Sequence, residues 1–291
     1  MRSESIPTPK RPPFGISGST LKLIAIITMF IDHAGATVIR AIAAHPAVVS
    51  DNARRALWSD IYSVSRDIGR IAFPIFCFLI VEGFLHTRNV RKYAQRLFLF
   101  ALLSEIPFDL ALKGNWYFPA KQNVYFTLLI GLLVLVGFEY VCGPVGRRKQ
   151  ENDSMKGSEK QTDTPMGNVV SGRSHPTEAA AKGNIPAAAR PVLCLVILAA
   201  GMYLAYRINT DYNFKGVFLI AILYLLHNDR TLQCFGGAAG VAWEMPAPVA
   251  FLPVYLYNGT RGLRMKYFFY FFYPVHLLLL HMAAQYLVPM I

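Results

Sequence analysis

The chain has 291 residues, 54% hydrophobic and 16% charged, with a mean hydropathy of +0.36. Ordinary globular chains hold roughly 45–50% apolar and about 25% charged residues, so the composition excludes a disordered chain and disfavours a soluble domain. The net charge of +12 comes with no zinc-finger spacing, basic helix or glycine-rich phosphate loop, which sets nucleic acid aside and assigns the excess Lys and Arg to cytoplasmic loops of a membrane protein.

Residues 1–19, rich in Pro, Ser and basic side chains, read as a flexible tail with no cleavable signal pattern. A first span, near the roughly 20 apolar residues a bilayer needs, is predicted at Thr20–Ala43. A polar connection with Asp51, Arg54, Arg55, Asp60, Arg66 and Asp67 follows. Further spans are predicted at Ile68–Leu85, Tyr93–Leu112 and Val124–Val141, with a basic turn holding Arg88, Arg91, Lys92 and Arg96 between the second and third. Residues 20–142 thus form a first transmembrane half of about four spans.

The segment 143–190 is polar and basic, shows no apolar periodicity, and reads as a disordered cytoplasmic loop. The second transmembrane half, 191–291, resumes at Pro191–Tyr206 and Phe214–Leu226 and ends with Lys266–Val288. Between them, Gly236, Gly237, Gly240, Glu244, Pro246, Pro248 and Pro253 predict two short or broken segments over 231–257. The expectation is an all-α polytopic bundle of about eight or nine spans. An N-terminus inside puts the Arg88–Arg96 turn, the 143–190 loop and Arg261–Lys266 inside, with the C-terminus outside. The first connection, carrying Arg54, Arg55 and Arg66, dissents. Cys77, Cys142, Cys194 and Cys234 lie far apart without a CxxC and read as small buried hydrophobes, with neither a metal site nor a disulfide framework.

Ionisable groups at bilayer depth cost about 2.5–3.5 kcal/mol on insertion scales and are functional candidates by default. Asp32 and His33 stand adjacent in the first span, and Gly35 and Ala36 let a neighbouring helix approach. Glu105 and Asp109, four apart, share a helix face beside Pro107. They could hold a proton between them or neutralise Arg70 or Arg96. In the last span Tyr270, Tyr273 and His276 follow at three-residue spacing. His281 lacks a polar neighbour in sequence and reads as structural.

In this order, the pieces LKLIAIITMFIDHAG (21–35), GRIAFPIFCFLIVEGFLHTRN (69–89), YAQRLFLFALLSEIPFDL (93–110), NVYFTLLIGLL (123–133), DYNFKGV (211–217), YNGTRG (257–262) and FYPVHLL (272–278) resemble the TraX family. The family is named for the F-pilin acetylase of conjugative plasmids, and its layout is similar to larger transmembrane acyltransferases that use acetyl-CoA and an intramembrane His. The resemblance implies a multi-pass plasma-membrane acetyltransferase with acetyl-CoA as donor. A peptide amine, sugar or lipid headgroup is the acceptor. His33, or His276, is then the candidate base, with Asp32, Glu105 or Asp109 as its carboxylate. Arg88, Arg91 and Lys92 are candidates for the CoA phosphates. The alternative reading is a proton-coupled transporter or channel using Asp32, His33, Glu105 and Asp109 as a relay.

Overall fold

The structure, a computed structural model, describes residues 15–49, 51–143, 185–263 and 266–290. Most of the predicted tail (1–14), most of the 143–190 loop (144–184) and Arg264 lie outside the described residues. The described chain is all-helical apart from short turns and bridges, and its helices build a multi-pass membrane protein. Five stretches are long and apolar enough to cross a bilayer: Gly18–Ala44, Asn52–His86, Val124–Cys142, Ala187–Arg207 and Tyr267–Met290. The other predicted spans fall short for different reasons. Val90–Lys113 has 24 residues but carries six charged side chains, Arg91, Lys92, Arg96, Glu105, Asp109 and Lys113. Asn213–Leu225 is apolar but only 13 residues long.

Helix α1 (Gly18–Ala44) starts two residues ahead of the predicted span, because the Ser17 side chain caps it by accepting from the Thr20 N–H. The polar connection forms the helix α2 (Asn52–Gly69), opened by Asp51 accepting from the Arg54 N–H. It runs antiparallel to α1 and, after a bend at Arg70 and Ile71, continues into the apolar α3 (Ala72–His86). Helix α4 (Val90–Lys113) begins at the Asn89 cap and ends at Gly114, whose φ of 71° supplies the left-handed stop. Helices α5 (Val124–Cys142), α6 (Arg190–Arg207) and α7 (Asn213–Leu225) pack on one another and on α3 and α4. The ambiguous 231–257 stretch resolves into a hairpin. In it α8 (Arg230–Gly240) is followed by a turn at 241–246 and the short α9 (Phe251–Tyr255), and the bare Gly237 backbone lies against the Phe251 ring. Helix α10 (Lys266–Met282) closes the bundle against α4 and α1.

Two ends are distinct. At the basal end, Gly18 and Ser19 donate backbone N–H groups to Thr260 and Arg261, and Arg230 pairs with Glu82. At the opposite end the 114–123 loop is laced to 209–211 by Gln122 N–H to Asn209 O and Asp211 N–H to Gln122 O. The cysteine reading holds for Cys77 and Cys234, which are buried, and needs correction for the other two. Cys142, exposed at the end of α5, has its sulfur 3.5 Å from that of Cys194 in α6, because the chain leaves and returns at neighbouring positions.

Candidate functional site

Helices α1 and α2 approach closely because small residues face each other. A Cβ on Gly69 would overlap the Asp32 side chain, and one on Gly35 would overlap the Ser65 hydroxyl. This proximity brings Arg66 of α2 against Asp32. Its guanidinium lies 2.8 Å from Asp32 Oδ2 and 3.4 Å from the Asp32 carbonyl. Just beyond His33 the helix widens into a π turn, Gly35–Ile39, and the Thr37 hydroxyl donates to the His33 carbonyl at 2.6 Å. Such π turns concentrate at functional sites.

On the facing helix α10, Pro274 lacks the N–H that would bond the Tyr270 carbonyl, and the Tyr125 hydroxyl donates to that carbonyl at 3.3 Å instead. Two residues on, His276 is buried and stacks on Phe272, with ring centroids 4.7 Å apart. His276 Nδ1 is 2.6 Å from the Phe272 carbonyl, and His276 Nε2 is 2.7 Å from His33 Nδ1. A carbonyl only accepts, so His276 Nδ1 carries a hydrogen. In the neutral ring Nε2 is then an acceptor, and His33 Nδ1–H must donate to it. The chain of bonds leaves the lone pair on His33 Nε2. That nitrogen stands 3.9 Å from Asp32 Oδ2, too far for a direct hydrogen bond. The edge of Tyr273 covers His33 from the side, at 5.8 Å between centroids.

Asp32 and His33 line a cavity of about 530 Å³ at the end opposite the basal loops. Its cations are Arg40, Arg66, Lys113, Lys121 and Lys215, and its carboxylates are Asp32, Asp211 and Glu244. Lys121 pairs with Asp211 at 2.9 Å, Arg70 approaches Glu244 at 3.8 Å, and Lys215 lies 3.8 Å over the Trp243 ring. Tyr212 forms part of the wall with φ 62°, a left-handed backbone that costs a bulky residue energy. The strain is held by stacking on Phe73, with centroids 3.5 Å apart, and by the Thr127 hydroxyl donating to the Asp211 carbonyl.

The structure therefore brings Asp32, His33 and His276 together and leaves the other candidates elsewhere. Glu105 accepts from the Asn123 N–H and side-chain amide, and Asp109 Oδ2 accepts from the Phe118 N–H at 2.6 Å. Both hold the ends of the 114–123 loop, and neither pairs with Arg70 or Arg96. Arg88, Arg91 and Lys92 are exposed at the basal end. From Gly69, which touches Asp32, to His86 is seventeen residues, about 25 Å of helix. His281 has polar surroundings after all, lining a second cavity with Thr37, Arg40 and Gln285. Sequence reasoning missed Arg66, Asp211, Lys215 and Glu244. The signal for Asp211 and Lys215 was a polar start to an otherwise apolar helix. Glu244 stood out only as a charge between prolines and glycines.

The family model described as "TraX protein" matches residues 17–143 and 181–284. The chain is also 28% identical to the probable fimbrial assembly protein FimC, serogroup H1, of Dichelobacter nodosus over 283 residues, covering 93% of this chain and 97% of that protein. No solved structure matches.

Proposed function

The chain belongs to the TraX family, and from that premise we propose that it is a multi-pass plasma-membrane acetyltransferase, moving an acetyl group from acetyl-CoA to an amine or hydroxyl acceptor. The observation that carries the reading is the lone pair on His33 Nε2, presented to a cavity by a hydrogen-bond chain that ends on a backbone carbonyl. Acyl transfer needs a base for the acceptor proton, and a positioned imidazole suits it near neutral pH. The acceptor proton passes to His33 Nε2. The imidazolium so formed is held between the His276 acceptor on one side and the Asp32 carboxylate on the other. Arg66 fixes Asp32 by pairing with it, and Asp32 takes the orienting part that a carboxylate plays in a triad.

Lys and Arg crowd the basal loops, which favours a cytoplasmic basal end and a cavity on the outer side. The exposed cations Arg88, Arg91 and Lys92 are assigned to the CoA phosphates on the donor side, and the cavity to the acceptor. The relative named for fimbrial assembly agrees with an acceptor handled at the cell surface. The test is acetyl-CoA binding and turnover by the purified protein. A ligand at 100 times its Kd stabilises by about 2.7 kcal/mol, so acetyl-CoA should raise the melting temperature by several degrees, and free CoA thiol should appear when an acceptor is added. No stabilisation and no thiol release would remove the acetyltransferase reading.

A further inference from the structure

Two of the cavity's cations are held in no close ion pair. Arg66 is committed to Asp32, Lys121 to Asp211, and Lys215 to the face of Trp243. Arg40 and Lys113 make no ion pair among the described residues. Lys113 faces the Asp109 carboxylate one turn earlier on α4 and stands 5.7 Å from the Phe118 ring, at the outer limit of a cation–π contact. Both residues also border the second cavity, of about 340 Å³, so they stand on the wall between the two. That second cavity is otherwise lined by the apolar residues Ala41, Ala44, Leu110, Ala111 and Ala284 and by Gly114, together with Thr37, His281 and Gln285.

The two chambers differ in chemistry. One is a polar space holding the carboxylates Asp32, Asp211 and Glu244 around His33, and the other is a slot of mostly small apolar residues that also carries Thr37, His281 and Gln285. Both cavities share two positive charges, Arg40 and Lys113, which an anion bound at that boundary would meet. Arg40 follows the π turn Gly35–Ile39 and lines the same cavity as His33.

We propose that the Arg40–Lys113 boundary binds the phosphate of an aminoalkyl phospholipid, with an acyl chain in the small-residue slot and the headgroup amine in the His33 cavity. The amine is the acetyl acceptor. This last step rests on the acetyltransferase reading, whereas the binding does not. In the transfer, the neutral amine forms a C–N bond to the acetyl carbon and the C–S bond of acetyl-CoA breaks. One N–H proton goes to His33 Nε2 and from there to the departing thiolate. The carboxylates of Asp211 and Glu244 favour a cationic amine over a neutral hydroxyl at the cavity wall, and that ammonium gives its first proton to water before the neutral nitrogen attacks.

The binding test titrates the purified protein with an ethanolamine phospholipid, a glycerol phospholipid and soluble phosphoethanolamine, read by native mass spectrometry. The ethanolamine lipid should bind best, and soluble phosphoethanolamine, lacking chains, at least tenfold more weakly. The double variant Arg40→Gln/Lys113→Gln should weaken the lipid at least tenfold without lowering the melting temperature of the free protein. Lipid affinity unchanged in that variant would overturn the site. Equal binding of soluble phosphoethanolamine would overturn the lipid assignment. The chemical test supplies acetyl-CoA to vesicles of the same lipid and looks for a product heavier by one acetyl group. Acetylation of a peptide amine but not of the bound lipid would overturn the acceptor assignment and leave the transferase reading standing. Lipid binding that depends on Arg40 and Lys113, with no transfer to any acceptor, would remove the transferase reading and with it the acceptor step, leaving the lipid site.

Discussion

Replacing His276 by Phe separates the tautomer argument from packing. A Phe ring retains the stack on Phe272 at 4.7 Å and the contact with Phe30 at 6.1 Å, so the apolar surroundings are kept. It removes the acceptor 2.7 Å from His33 Nδ1. A buried donor left without its partner costs about 1–3 kcal/mol. His33 escapes that cost by turning its hydrogen to Nε2, toward Asp32, which consumes the lone pair the reaction needs. If the same 1–3 kcal/mol must be supplied to restore the productive tautomer, the rate falls by roughly 5- to 150-fold, at about 1.4 kcal/mol per factor of ten. His276→Gln, whose amide oxygen can accept from Nδ1–H, should recover most of the rate. The assay is acetyl-CoA-dependent thiol release in vesicles, beside NMR of isotope-labelled imidazole nitrogens to read which nitrogen of His33 carries hydrogen. A Phe variant with wild-type rate and an unchanged His33 tautomer would refute the reasoning, as would a Gln variant no better than Phe.

Gly69→Ala should drive α1 and α2 apart at Asp32 and lower stability by about 1–3 kcal/mol, the usual cost of overpacking, read as an earlier thermal transition. An unchanged transition would mean the two helices do not meet there. Neutralising Arg88 and Arg91 together should weaken acetyl-CoA and flatten the salt dependence of its binding, since exposed charges are screened over about 8–10 Å at physiological ionic strength. Unchanged affinity in a filter-binding assay would make the turn a topology signal only. Mild oxidation should join Cys142 to Cys194, whose sulfurs are 3.5 Å apart, and Cys142→Ser should abolish the link on peptide mapping. A failure to cross-link would contradict the pairing of α5 with α6.

The candidate pair in α1 is legible in sequence because two ionisable side chains at depth have few packing explanations. The contact that gives the pair its chemistry is not. His33 and His276 are 243 residues apart, and no local pattern records that α1 and α10 face each other at that height. Arg66 was hidden for a different reason. A polar stretch with Asp51, Arg54 and Asp60 looks like an aqueous connection, yet an Asp cap and a run free of Gly and Pro build a helix there, and Gly35 and Gly69 fasten it to α1. Glu105 and Asp109 do share a face, as their spacing says, but a shared face does not reveal its partner, which proved to be the backbone and side chain of the following loop. The 231–257 break was readable from Gly and Pro. That its turn would carry Glu244 to the wall of the His33 cavity was not, because it depends on how deep the hairpin reaches.

The central claim is that His33 removes the acceptor proton, and the most direct measurement is turnover by His33→Ala in reconstituted vesicles, with His281→Ala beside it. Loss of a positioned base lowers turnover by about 10²–10⁴-fold. His33→Ala should fall in that range while binding acetyl-CoA as the wild type does. His281→Ala, at the second cavity, should keep transfer to a water-soluble acceptor. In the wild type the rate should rise with pH and level off once His33 is neutral, and His33→Ala should lose that rise. Normal turnover by His33→Ala, with the pH rise intact, would contradict the account.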